Sequence, residues 1–106
     1  MWEVYGDNLK MTVGDYGVEL PLTISGTTLT ASDEIKFTAK HRQTGSIVLE
    51  KTFSNISANT VNFVLTKEDS NQFRVGEYRY SLDWYQDNVF MCNIIPDAQL
   101  MVVNKV

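Results

Sequence analysis

Cysteine is almost missing from this sequence of 106 residues, and Cys92 stands alone. A lone thiol excludes an internal disulfide and any multi-cysteine metal site. Its neighbours Phe90, Met91 and Ile94 point to a small buried thiol, compatible with a reducing compartment of synthesis. Histidine is equally scarce. His41 sits alone between Lys40 and Arg42, so His-based metal clusters are out. A nucleophilic triad would have to be built on that one imidazole. A surface residue at a hairpin is the simpler reading. The six glycines are scattered at turns, which leaves no Gly-rich phosphate loop. No apolar run approaches the ~20 residues that cross a bilayer. The start, Met1-Trp2-Glu3-Val4-Tyr5, lacks both a basic n-region and an apolar h-region, so no signal peptide is expected.

Positive charge is also thin. The formal net charge is -4, and phosphate binding needs a concentrated patch of Lys and Arg, so nucleic acid is not an expected partner. Only Lys36, Lys40 and Arg42 cluster, at the parity of one strand, and they read as a solvated, aggregation-resistant face rather than an anion site. Carboxylates occur as Asp33-Glu34 and Glu68-Asp69 and singly at Asp83, Asp87 and Asp97. A glycosidase pair needs two carboxyls facing one cleft, which sequence cannot place. The stretch Asp83 to Asn88 lacks the acid at every second position, with glycine, that calcium loops use. No catalytic residue, cofactor or metal is expected.

Strand pattern is what the chain has in plenty. From Val75 to Gln86, Tyr78, Tyr80, Leu82 and Trp84 fall on one face and Glu77, Arg79, Ser81 and Asp83 on the other. Side chains alternate across a strand, so this is a half-buried strand entered from a turn at Gly76. Earlier, Leu9, Met11 and Val13 alternate after a turn at Gly6-Asp7-Asn8, and Val18 to Ile24 alternates after Gly14-Asp15. Pro21 cannot donate a ladder hydrogen bond, which predicts an edge or a bulge there. Ile35, Phe37 and Ala39 form a third strand, leading through Gln43-Thr44-Gly45 into a return strand with Ile47, Leu49 and Phe53 on one parity. Val61, Phe63 and Leu65 form a fifth. Thr66 with an acid three residues on reads as a helix N-cap, predicting one or two turns over 67–73. Past the turn at Asp87-Asn88 comes a strand from Val89 to Ile95, a break at Pro96-Asp97 and a closing strand from Leu100 to Val103. Seven to eight short strands, with turn signals about every eight to twelve residues, mark a single β-sandwich or small barrel over 1–106.

The aromatics divide. Tyr78, Tyr80 and Trp84 belong to the core, and Gly-x-Tyr ahead of a late strand is like the tyrosine corner of Greek-key sandwiches. Trp2, Tyr5, Tyr16 and Tyr85 fit less easily inside. Exposed aromatics on a rigid sandwich serve a protein interface or a sugar platform, so these four are the candidate interface.

Several stretches resemble a family of phage tail and baseplate structural domains that includes the N-terminal domain of siphophage baseplate upper proteins. They are Thr12-Val13-Gly14-Asp15, the strand to Ile24, Leu29 to Thr38, Leu65-Thr66-Lys67-Glu68-Asp69-Ser70, and Gly76-Glu77-Tyr78-Arg79-Tyr80-Ser81-Leu82-Asp83. Small prophage structural proteins of gut Firmicutes are similar still more closely, through Gly6-Asp7-Asn8, Gly14-Asp15-Tyr16-Gly17 and Leu82 to Asp87. The departure is Val75, where the family usually has proline. The resemblance implies an all-β, immunoglobulin-like antiparallel sandwich built into a virion. It also implies synthesis in the bacterial host cytoplasm, contacts with other phage structural proteins or with itself, and no catalysis. The alternative is a carbohydrate-binding or adhesion module using the four aromatics.

Overall fold

Burying one face of each alternating strand requires a second layer, and two sheets result. The computed structural model describes residues 3–17, 19–24, 29–30, 32–54, 56 and 59–104, with residues 3–5 described by their backbone. In chain order they form β1 (Glu3–Tyr5), β2 (Asn8–Thr12), β3 (Leu20–Thr23), β4 (Asp33–His41), β5 (Ile47–Phe53) and β6 (Thr60–Phe63). α1 (Lys67–Ser70), β7 (Gly76–Gln86) and β8 (Val89–Val103) follow. The larger sheet has the order β1-β2-β8-β7-β4-β5, and β3 pairs with β6 in the smaller one. The expected immunoglobulin-like sandwich forms, with the stretch around Tyr78 at its centre. It is antiparallel but for one pair: β2 runs parallel to β8, Leu9 opposite Leu100 through Thr12 opposite Val103.

The inner face of the large sheet carries Leu9, Met11, Ile35, Phe37, Ala39, Tyr78, Tyr80, Leu82, Ala98, Leu100 and Val102, all buried. Val61 and Phe63 of β6, with Ile24, Leu29, Ile56, Leu65 and Phe73 from the connections, close over them. Phe37 is fully buried, and its ring meets Phe63 edge-on at 4.6 Å and Tyr80 at 5.5 Å. Phe63 in turn lies 5.1 Å from Phe53, so one ring of β6 joins β4 to β5 across the layer gap.

The crossover from β6 to β7 is tied at two points. Thr66 accepts from the Asp69 backbone N–H at 3.1 Å while Asp69 accepts from the Thr66 N–H at 3.0 Å, a complete capping box. The same carboxylate takes the Lys51 ammonium. Lys51 lies opposite Phe37 on the inner face of edge strand β5, and α1 supplies the acid that lets it stay there. Beyond α1, the Tyr78 hydroxyl donates to the Arg74 carbonyl and accepts from the Arg74 N–H, both at 2.9 Å. Its ring packs edge-on to Phe73 at 5.1 Å. This is the predicted tyrosine corner, and it holds without the proline before Gly76, whose φ of +156° places it where L side chains rarely go.

Several local expectations shift. β8 does not break at Pro96-Asp97: Tyr80 faces Ala98 and Leu82 faces Ile95, so two residues of β8 oppose Ser81 alone. A bulge absorbs the proline and the strand continues. A register shift between Ala39 and Lys40 pairs Ile47 with Lys40, which turns Ile47 outward, 55% exposed, away from the parity of Leu49 and Phe53. The helix stops at Ser70, and its last turn gives way to the loop carrying Phe73. Pro21 does lie on an edge, because each strand of a two-stranded sheet has one open side.

Truncating the central ring, Phe37→Ala, should cost about 3–5 kcal/mol in urea unfolding, through lost transfer energy and the cavity left beside Phe63. A loss under ~1 kcal/mol would show that the layers do not depend on this contact.

Two carboxylates set the acid limit of stability. The backbone N–H of Thr30, at 2.6 Å, holds the Asp33 carboxyl low against its burial, helped by the Trp84 indole N–H at 3.1 Å. For Asp69, burial favours the neutral form, but the Lys51 ammonium and the Thr66 N–H outweigh it and the net shift is downward. Depressed carboxylates stabilise the fold fully above their unfolded value, near pH 4, and lose that contribution as pH falls through the depressed folded values. Lys51→Met should therefore flatten the fall in urea midpoint below about pH 4. An unchanged acid limb would assign it elsewhere.

Candidate functional site

The single histidine and the single cysteine do not meet. His41 pairs with Tyr78 and Cys92 with Trp84, six positions along β7, which puts them about 20 Å apart. No group of three or more His, Cys, Asp or Glu residues among those described could hold a metal ion. The outer face of the large sheet is laced instead with charge pairs: Lys36 to Glu50 and Arg79 to Asp97, each at 2.9 Å, and Arg42 to Glu77. Hydrogen bonding to Glu50 raises the Lys36 pKa, and Asp97 does the same for Arg79 while its own carboxyl is lowered. The basic cluster of β4 is thus a solvated strand face.

The informative surfaces lie at the two ends of the long strands. At one end the β7–β8 turn is made by Asp87 and Asn88, with φ of 50° and 66°. Left-handed conformation at both central residues matches the twist of a tight hairpin, and Asp and Asn tolerate it best after glycine. β8 then runs from Val89 to Gln99 before β2 joins it at Leu100, so this half of β8 is a sheet edge. Val89 is 60% exposed, Phe90 50% and Met91 43%, three large apolar residues in a row. On the β7 side the Phe90 ring meets Tyr85 edge-on at 5.6 Å.

At the other end the β4–β5 hairpin turns through Gly45, whose φ is +72°. Beside it an open groove of about 710 Å³ is lined by His41, Arg42, Gln43, Val75, Gly76 and Glu77. The His41 ring packs edge-on to Tyr78 at 5.6 Å, and Val75 is 49% exposed on the groove rim.

The four predicted interface aromatics do not form one platform. Tyr16 is exposed in the loop after β2, at the end where β7 begins, and Tyr85 is half-buried near the end of β7, about 30 Å along the sheet. Tyr5 pairs with Asn8 through its backbone, and its side chain lies outside the described residues, as does Trp2. Cys92 is exposed, not buried. It faces the same side as Trp84 on a stretch of β8 paired with β7 alone, and its apolar neighbours do not enclose it. Sequence reasoning missed Val89, Phe90 and Met91 because an apolar run beside a cysteine reads as core. Their exposure follows from β8 outrunning β2, 15 residues against 5, a length that the break expected at Pro96-Asp97 hides in the sequence.

No family model and no curated protein matches the chain. Among solved structures it is similar to the extracellular domain of the voltage-gated sodium channel beta4 subunit. The TM-score is 0.51 and the identity 18%, and the match covers 98% of each chain. That domain forms parallel homodimers that explain its role in cell–cell adhesion. At this identity the likeness shows the immunoglobulin-like fold.

The exposed edge makes Cys92 accessible without unfolding. One equivalent of a thiol reagent should add to the native protein at a rate close to that in denaturant, followed by absorbance or intact mass. Strong native protection would mean that another surface covers this edge.

Proposed function

We propose that the chain is a non-enzymatic structural component of a phage tail or baseplate that works through protein–protein contacts. The observation that carries this reading is the bare apolar ridge from Val89 to Met91 on a rigid sheet edge. Large apolar side chains rarely stand together in water unless a partner covers them. A protein interface places such residues at its dry centre and keeps charge at the rim. Here charge beside the ridge is supplied by Asp87 of the turn and by the Lys36–Glu50 pair of the outer face.

The sequence resemblance supplies the setting. The stretches that carry it, Leu65 to Ser70 and Gly76 to Asp83, are the capping box and the tyrosine-corner strand, which fix the crossover between layers. They make a stiff spacer of 39 × 27 × 26 Å, the kind of body that holds neighbours at set distances in a particle. The homodimeric beta4 domain is a precedent for a sandwich of this shape working by association.

Mass spectrometry of purified particles from an induced host culture tests the setting. This chain should be present at many copies per particle. Its absence from intact virions overturns the proposal.

A further inference from the structure

We infer that the partner of the ridge is the groove at the far end of a second copy of this chain, so that copies join head to tail. The inference rests on the reading of the chain as an assembly module and names its partner. Three observations converge. First, the exposed large apolar residues divide between opposite ends: Val89, Phe90 and Met91 form a ridge at one, while Val75 lies on the rim of an open groove at the other. An exposed apolar edge and an open groove at opposite ends are what a heterologous contact can join, since in such a contact different patches of the same molecule meet.

Second, the ends carry opposite charge. Around the β7–β8 turn stand Glu34, Asp83 and Asp87, and Lys36 beside them is already paired with Glu50. The groove end carries Lys40, His41 and Arg42 in succession. Asp87 sits at the hairpin turn, beside the ridge, where it would meet this basic rim first. Arg42 already pairs with Glu77 yet is 61% exposed, and a guanidinium has five N–H donors, so it can hold a second carboxylate. A twofold contact of ridge against ridge would instead bring the Asp87 carboxylates of both copies together.

Third, the groove has room. Its volume of about 710 Å³ falls in the range of clefts that take up a compact ligand, ample for side chains at a hairpin turn. The rotation between successive copies decides whether the assembly closes into a ring or runs on as a filament.

The test uses complementation between two surface variants. Phe90→Asp spoils the ridge and leaves the groove intact; Val75→Asp does the reverse. Both sites are about half exposed, so circular dichroism and thermal melting should match the wild type. Wild-type protein should show concentration-dependent association by size exclusion with light scattering. Each variant alone should associate at least about tenfold more weakly. Mixed, the two should form a 1:1 dimer that grows no further, because one intact ridge and one intact groove remain. A wild type that stays monomeric at the highest concentration reached overturns the inference, as does a mixture that fails to pair. A ridge-to-ridge dimer would be betrayed by Val75→Asp associating as well as wild type. None of these outcomes depends on finding the chain in virions, so this contact and the virion setting can fail separately.

Discussion

The edge-on contact between Phe37 and Phe63 is the constraint on which the two layers depend. The smaller sheet has two strands, and only β6 brings a large ring to the centre of the larger sheet. Six strands are thus held against two largely through Phe63, with Phe53 and Tyr80 packed around the same point. Connections complete the lid, since Leu29, Ile56, Leu65 and Phe73 lie outside the regular strands. Buried connections need their polar groups satisfied. Asn59 does this by accepting from the Leu29 N–H at 2.8 Å and donating to the Ile24 carbonyl at 3.1 Å. The Tyr80 hydroxyl donates to the Asp7 carbonyl, and its pKa is pushed up to about 12, chiefly by burial.

Edge protection follows the same economy. β3 carries Pro21, and β5 turns Lys51 inward to Asp69. Both devices discourage unwanted strand pairing. The first half of β8 has bulges along its length, yet it presents three consecutive apolar residues with no charge until Asp97. Bulges spoil a long backbone ladder but not side-chain contact. The proposed contact is therefore one of side chains entering a groove and not the continuation of a sheet.

Much of the fold was legible in the residues. Alternation at Tyr78 to Trp84 and at Ile35 to Ala39 named the two central strands and their buried faces, because a period of two leaves little freedom once one face must be dry. Thr66 and Asp69 announced their capping box, and Gly76 with Tyr78 their corner, because both motifs act within a few residues. The candidate site was much less legible. Aromatic type points to Tyr16 and Tyr85, while Val89, Phe90 and Met91 read as a strand beside a buried thiol. Exposure depends on what lies across the gap, and local pattern does not carry that information.

The sequence by itself determined the faces of the central strands, the capped start of the short helix and the lack of residues for a disulfide, because each rests on neighbours in the chain or on residue counts. Tertiary structure alone decided that β2 runs parallel to β8, that a bulge carries β8 through Pro96, and that Ile47 turns outward. It also decided that Cys92 and the ridge before it lie exposed at a sheet edge. These outcomes depend on registers between segments far apart in sequence. A register is selected by the packing of the whole sandwich, and no single strand contains it.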